Sequence, residues 1–227
     1  MIFEQLFDNS SSTYTYIIGS RPGAEGLIID PVLDNVNQYI EVLNKYKLQL
    51  VKVIDTHIHA DHISGASELK NKTNCTTIMG QHTPSDVVEI KVKDNELINV
   101  EGFKLKAIYT PGHTSDSYSF LMDDKVFTGD TLLINGTGRT DFQNGSAEDS
   151  YRSIFERLLK LPENTLLYPA HDYNGKKFSN IGNEKKFNPR LQVKNVDEYK
   201  EIMNNLNLKK PHLMDTNVSR NINLGAS

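Results

Sequence analysis

Apolar and β-branched residues fall in short runs along the chain, broken by polar, turn-prone positions, with a few stretches of helical spacing between them. Residues 2–6 and 13–18 flank Asn9-Ser10-Ser11-Ser12, which predicts strand, turn, strand. Residues 26–31 predict a third strand. In 32–47, Val36, Tyr39, Ile40 and Leu43 recur at helical spacing, so a helix returns the chain to a buried strand over 50–55. A short helix over 64–70 and a strand over 76–79 follow. Two hairpins come next, 96–100 with 103–109 about Glu101-Gly102, and 117–122 with 125–128 about Asp123-Asp124. The clearest helix is 146–161, with Ser146 as its cap and Tyr151, Ile154, Phe155, Leu158 and Leu159 on one face. A strand from Leu166 follows it, and 195–206 carries a further helical stripe of Val196, Tyr199, Ile202, Met203 and Leu206. The polar stretch 215–227 predicts no element. Strands followed by a helix, twice over, predict an α/β chain (α+β in some schemes) with two packed sheets between outer helices, a four-layer α/β/β/α sandwich.

At 227 residues the chain fits one domain, 1–227, with a short C-terminal helical extension. A net charge of −4 gives no broad electrostatic reason to expect nucleic acid or an anionic membrane as partner. Cys75 is the sole cysteine, so no intrachain disulfide forms and a reducing compartment suits the chain. With no signal-peptide or transit-peptide pattern at the start and no apolar run of bilayer length, the expected address is cytoplasmic.

Chemistry concentrates at Thr56-His57-Ile58-His59-Ala60-Asp61-His62, directly after the buried strand at Leu50. Three of the chain's seven histidines and a carboxylate sit in this stretch, and neutral imidazole with carboxylate suits divalent iron, zinc or manganese. Further ligand types stand at other strand ends: His113 after Thr110-Pro111-Gly112, Asp130 after Phe127-Thr128-Gly129, and His171 after Tyr168-Pro169-Ala170. His82 and His212 lie outside this pattern and read as ordinary surface or core histidines.

The His-x-His-x-Asp-His cluster followed by His113, Asp130 and His171 resembles the metallo-β-lactamase superfamily over most of the chain, and so implies its sandwich fold. Gly138-Arg139-Thr140-Asp141-Phe142-Gln143 and Asn188-Pro189-Arg190 narrow the resemblance to the glutathione-linked persulfide dioxygenases, also called sulfur dioxygenases. That resemblance implies one Fe(II) per chain, held by His57, His113 and Asp130, with positions open for a persulfide sulfur and O2. His59, Asp61, His62 and His171 are then outer-shell groups that orient ligands and shuttle protons, or the ligands of a second metal; the residues alone leave the two sets open. Arg139 and Arg190 are expected to take the carboxylates of glutathione persulfide, and Tyr173 to donate a hydrogen bond near the reacting sulfur. Each has an ordinary alternative: Arg139 has Asp141 within reach, Arg190 a surface acid, and Tyr173 simple packing. Catalytic work is expected of Tyr173, His171 and Asp61, on a small-molecule persulfide and O2, and a homodimer is what the resemblance implies.

Two rivals use the same residues. A hydroxyacylglutathione hydrolase would hold two metals, zinc among the candidates, about a bridging hydroxide, but the 56 residues after His171 leave little room for the helical substrate domain such hydrolases append. A non-catalytic metal-binding scaffold would have no need of the complete ligand set.

Overall fold

The computed structural model describes residues 1–210 and 213–226. Its first sheet takes Ile2–Asp8 (β1), Thr13–Gly19 (β2), Glu25–Ile29 (β3), Gln49–Ile54 (β4), Thr76–Gly80 (β5) and Ile90–Val92 (β6) side by side in chain order. The first three strands are antiparallel neighbours, and β3 through β6 run parallel. Leu97–Val100 (β7), Phe103–Tyr109 (β8), Tyr118–Met122 (β9) and Lys125–Gly129 (β10) build an antiparallel meander. After the small hairpin of Leu132–Leu133 (β11) and Gly136–Thr137 (β12), Leu166–Pro169 (β13) joins β10 in parallel and Ser179–Asn180 (β14) closes the second sheet.

The period-two alternation of each strand sorts its side chains into three cores. Tyr16, Ile18, Leu27, Ile29 and Ile54 of the first sheet meet Leu105, Phe120, Phe127 and Tyr168 of the second in the layer between the sheets. Their odd-numbered partners Ile17 and Val53, with Ile28, face the other way, onto Val36, Tyr39 and Leu43 of Val36–Tyr46 (α1) and Leu69 of Ala66–Thr73 (α2). On the far side, Val126 and Leu167 pack against Ile154, Leu158, Ile181, Tyr199 and Met203. Those residues belong to the segments from Ala147–Arg152 (α3) to Lys160, Ile181–Phe187 (α4) and Val196–Asn204 (α5). The four-layer sandwich expected from the strand order is therefore the fold.

Two differences from the sequence expectations bear on the site. The helix expected as one piece over 146–161 begins as predicted, with Ser146 accepting the Asp149 N–H at 3.1 Å. It then widens into a π segment, Ser153–Arg157, and ends in a 3-10 turn, Leu158–Lys160. Ser153 donates to the Pro111 carbonyl, while Arg157 reaches the Tyr109 carbonyl at 2.8 Å and both Asp94 oxygens at 2.9 Å, so contacts with the second sheet pull the helix out of register. The second difference is Met214–Asn221 (α6), a helix in the stretch that the apolar pattern left without an element. His212 lies outside the described residues.

Candidate metal centre

Strands β8, β10 and β13 run in one direction within the second sheet, so their C-terminal ends open at the same edge. There the chain leaves β8 for His113, β10 for Asp130 and β13 for His171. Strand β4 brings His57 from the first sheet, and the sheets are stitched together at this edge. The Tyr14 N–H donates to the Ala170 carbonyl at 2.7 Å and the Tyr118 N–H to the Thr56 carbonyl at 2.9 Å.

One ligand atom each from His57, His113 and Asp130 lies within 4.8 Å of the other two. Both imidazoles are oriented from behind. His113 Nδ1 donates to the Arg139 carbonyl at 2.8 Å, which turns Nε2 towards Asp130 Oδ2 at 3.5 Å. His57 Nδ1 lies 3.0 Å from the Thr56 hydroxyl, which itself donates to Asp30 at 3.0 Å. Burial, with the His59 and His113 rings adding to it, pulls the His57 imidazole well below its ordinary range and keeps it in the neutral form that a metal would need. Gly138 makes room for the set, because a Cβ there would stand 2.0 Å from the Asp130 carbonyl and 2.9 Å from the His113 ring. Two imidazoles and a carboxylate at the edge of a cavity fit a divalent first-row metal with open positions.

The other four candidates divide differently. His171 is buried and gripped at both ring nitrogens, Nδ1 by Asp130 at 2.6 Å and Nε2 by Asp61 at 2.8 Å. Burial opposes a charge on this ring, but the two carboxylates outweigh it and hold His171 well above the ordinary imidazole range. Burial likewise opposes charge on Asp61, and His171 and His62 outweigh it, keeping the carboxyl well below its usual range. Asp61 Oδ2 also accepts from His62 Nδ1 at 3.1 Å and the Thr13 hydroxyl at 3.3 Å. His59 donates from Nε2 to Asp30 at 3.1 Å; burial works against its protonation, yet Asp30 and Asp55 push its pKa up to about 9. Among the described residues, His59 Nδ1 and His62 Nε2 are buried with no hydrogen-bond partner, and His59, Asp61 and His62 form a second potential donor group.

A cavity of about 560 Å³ opens on the site, walled by His113, Asp130 and His171 together with Arg139, Tyr173 and Arg190. The structure thus brings the three expected substrate residues to one pocket but in unequal states. Arg139 is bidentate to Asp141, at 2.7 and 2.8 Å, and holds the Lys209 and Leu208 carbonyls at 2.6 and 3.1 Å. Its fork is spent on bracing the pocket wall, the alternative already visible in the Asp141 spacing. Arg190 bonds through one nitrogen to the Thr137 carbonyl and hydroxyl, and among the described residues no carboxylate pairs with it. Tyr173 is exposed and stacks parallel to the His171 ring, 6.1 Å between centroids. Sequence reasoning passes over Asp30, Thr13, Asp116, Asn217 and Asn221, which hold the candidate loop from behind; of these only Asp116, three residues after His113, stands beside a histidine motif. Gln143 was visible only as the end of the Gly-Arg-Thr-Asp-Phe-Gln run.

A two-sheet sandwich with imidazoles and carboxylates gathered at one edge defines a class of metal-dependent enzymes, and the family model of the metallo-beta-lactamase superfamily matches residues 9–85 and 80–171. The persulfide dioxygenases ETHE1 of Mus musculus and Homo sapiens, both described as mitochondrial, are each 37% identical over 228 residues, covering 99% of this chain and 89% of theirs. The crystal structure of ETHE1 from Myxococcus xanthus superimposes with a TM-score of 0.97 at 43% identity, covering 100% of both chains. The chain belongs to the metallo-beta-lactamase superfamily and, within it, to the persulfide dioxygenases.

Proposed function

We propose that this protein is an iron-dependent dioxygenase that oxidises a low-molecular-weight persulfide, glutathione persulfide first among them, as part of sulfide detoxification. The net reaction is RSSH + O2 + H2O → RSH + HSO3⁻ + H⁺. The persulfide dioxygenases that match nearly the whole chain support the reaction class. The observation that favours the one-metal form is that one ligand atom each of His57, His113 and Asp130 gathers as a set of its own, while His171 is held between Asp130 at 2.6 Å and Asp61 at 2.8 Å. His57, His113 and Asp130 then remain as a separate two-histidine, one-carboxylate set for a single Fe(II).

Bound there, ferrous iron supplies the redox chemistry that joins O2 to sulfur. The protein supplies the rest. Thr56 and the Arg139 carbonyl fix the two imidazoles, and His171 fixes Asp130. Arg190, with guanidinium N–H groups to spare, pairs with a substrate carboxylate, and the Tyr173 hydroxyl donates towards the substrate sulfur. Arg139 acts on the same end of the substrate by bracing the wall. His171 and Asp61 share a proton beside the reacting centre and move the protons that sulfur–sulfur cleavage by water redistributes. A cavity of this size is in the range that takes a small ligand.

No described helix is long and apolar enough to cross a membrane. Cys75 is free and buried, which suits a reducing compartment, so the cytoplasmic address stays part of the proposal, with a homodimer and a single domain carrying a helical extension. The test sets two assays side by side on the purified protein: sulfite formed from glutathione persulfide with and without O2, and hydrolysis of a glutathione thioester. Oxygen-dependent sulfite without thioesterase activity is expected. Oxygen-independent thioester hydrolysis would move the assignment to the two-metal hydrolase.

A further inference from the structure

The loop that carries His57, His59, Asp61 and His62 has no helix or strand to satisfy its backbone. Buried carbonyls need donors, and here those donors are side-chain amides from two distant parts of the chain. Gln143 donates to the Ile58 carbonyl at 2.6 Å, Asn221 to the His59 and His62 carbonyls at 2.8 Å each, and Asn217 to the Ala60 carbonyl at 3.0 Å. Asn221 is used at both ends, because its Oδ1 accepts the Ser64 N–H at 2.9 Å. That bond fixes the amide orientation: turned over, Asn221 would set its oxygen against two carbonyls.

Asn217 and Asn221 stand one turn apart on α6, both buried, and so present one face to the loop. The chain beyond the helix closes on the same loop. The Ser67 N–H donates to the Leu224 carbonyl at 3.0 Å, and Gly225 passes so close that a Cβ would stand 1.9 Å from the Ser64 carbonyl. Gln143 works from the opposite side, at the cavity wall.

Resting on the one-metal reading above, we infer that Gln143, Asn217 and Asn221 are positioning residues, a carboxamide template that sets the curvature of the ligand loop and with it the direction of His57 and the outer-shell groups. Through Asn217 and Asn221 the C-terminal helix thereby serves the metal site from behind. Removing outer-shell partners typically weakens metal affinity by about 10–100-fold.

Wild type, Asn221→Ala, Asn217→Ser and Gln143→Met, each freed of metal, are titrated anaerobically with ferrous ion against a competing chelator, and amide exchange is followed over residues 57–64. Asn221→Ala is expected to bind iron about 10–100-fold more weakly, to exchange faster at Ser64, and to lose kcat with KM nearly unchanged. Asn217→Ser and Gln143→Met should follow in the same direction with smaller effects, and they keep the test open if Asn221→Ala does not fold. A merely structural role would lower Tm and leave the affinity of the folded protein as it was. Unchanged affinity in the folded variants, with iron bound normally by wild type, overturns this inference alone. A wild type that takes up no ferrous ion overturns the iron reading, and this inference with it.

Discussion

Arg190 shows how much depends on which nitrogen atoms remain free. Arg139 and Arg190 enter the same pocket, but Asp141 and two carbonyls occupy the first, while the second bonds only Thr137 through one nitrogen and pairs with no carboxylate among the described residues. Arg190→Met keeps much of the apolar stem and removes the charge. Since a hydrogen bond to a charged group contributes about 1.5–3 kcal/mol, KM for glutathione persulfide should rise by about 10–100-fold, with kcat within about threefold. Steady-state oxygen uptake measures both, and an unchanged KM would remove Arg190 from the substrate site. At this scale the sequence was informative where chemistry is local. His57 to His62 announce themselves by density, and His113, Asp130 and His171 by their places after apolar runs. Asn221 and Asp30 do not, because what distinguishes them is the carbonyl or imidazole they meet in space.

Among the elements, the segment after α3 departs most from its sequence pattern. The apolar face of residues 146–161 has the spacing of a regular helix, and its inward side chains are buried as expected. What the spacing does not carry is the demand of the neighbouring sheet: Ser153 bonds Pro111, two residues before His113, and Arg157 clasps Tyr109 and Asp94. Strands β1 to β5 and the two hairpins were legible, since alternation and turn residues are properties of short windows. The two-residue strands β11, β12 and β14, with α4 and α6, were not, because packing rather than pattern defines them. Burial opposes ionisation of Asp94, but the bonds from Arg157 and the Tyr109 N–H outweigh it and hold its carboxyl below the usual range. A lowered carboxylate contributes stability that is present above about pH 4 and lost as pH falls through the lowered value. Arg157→Met should therefore lower Tm by about 2–4 °C at pH 7, modest because the pair is partly exposed, and the difference from wild type should shrink towards pH 3. Thermal denaturation at both pH values checks this, and a constant difference would mean that the Arg157 stem, not its charge, matters.

Across the whole molecule, the centre belongs to neither sheet alone. Strand β4 delivers His57 from the first, and β8 and β10 deliver His113 and Asp130 from the second. The layer of aromatic and aliphatic side chains between the sheets therefore sets the ligand spacing, while α6 and Gln143 set the loop that the first sheet contributes. The order of the candidate ligands along the chain is therefore readable in the sequence, while the number of metals they hold is not. How many metals they hold turns on where Asp61 and Asp130 lie relative to His171, a matter of docking between layers. The most direct measurement is elemental analysis of anaerobically purified protein, paired with oxygen uptake on adding glutathione persulfide across a series of iron loadings. About one iron per chain, with uptake rising in proportion to iron up to that ratio, is the expected result for a two-histidine, one-carboxylate site. About two metals per chain with no persulfide-dependent oxygen uptake would contradict it, making His59, Asp61, His62 and His171 metal ligands.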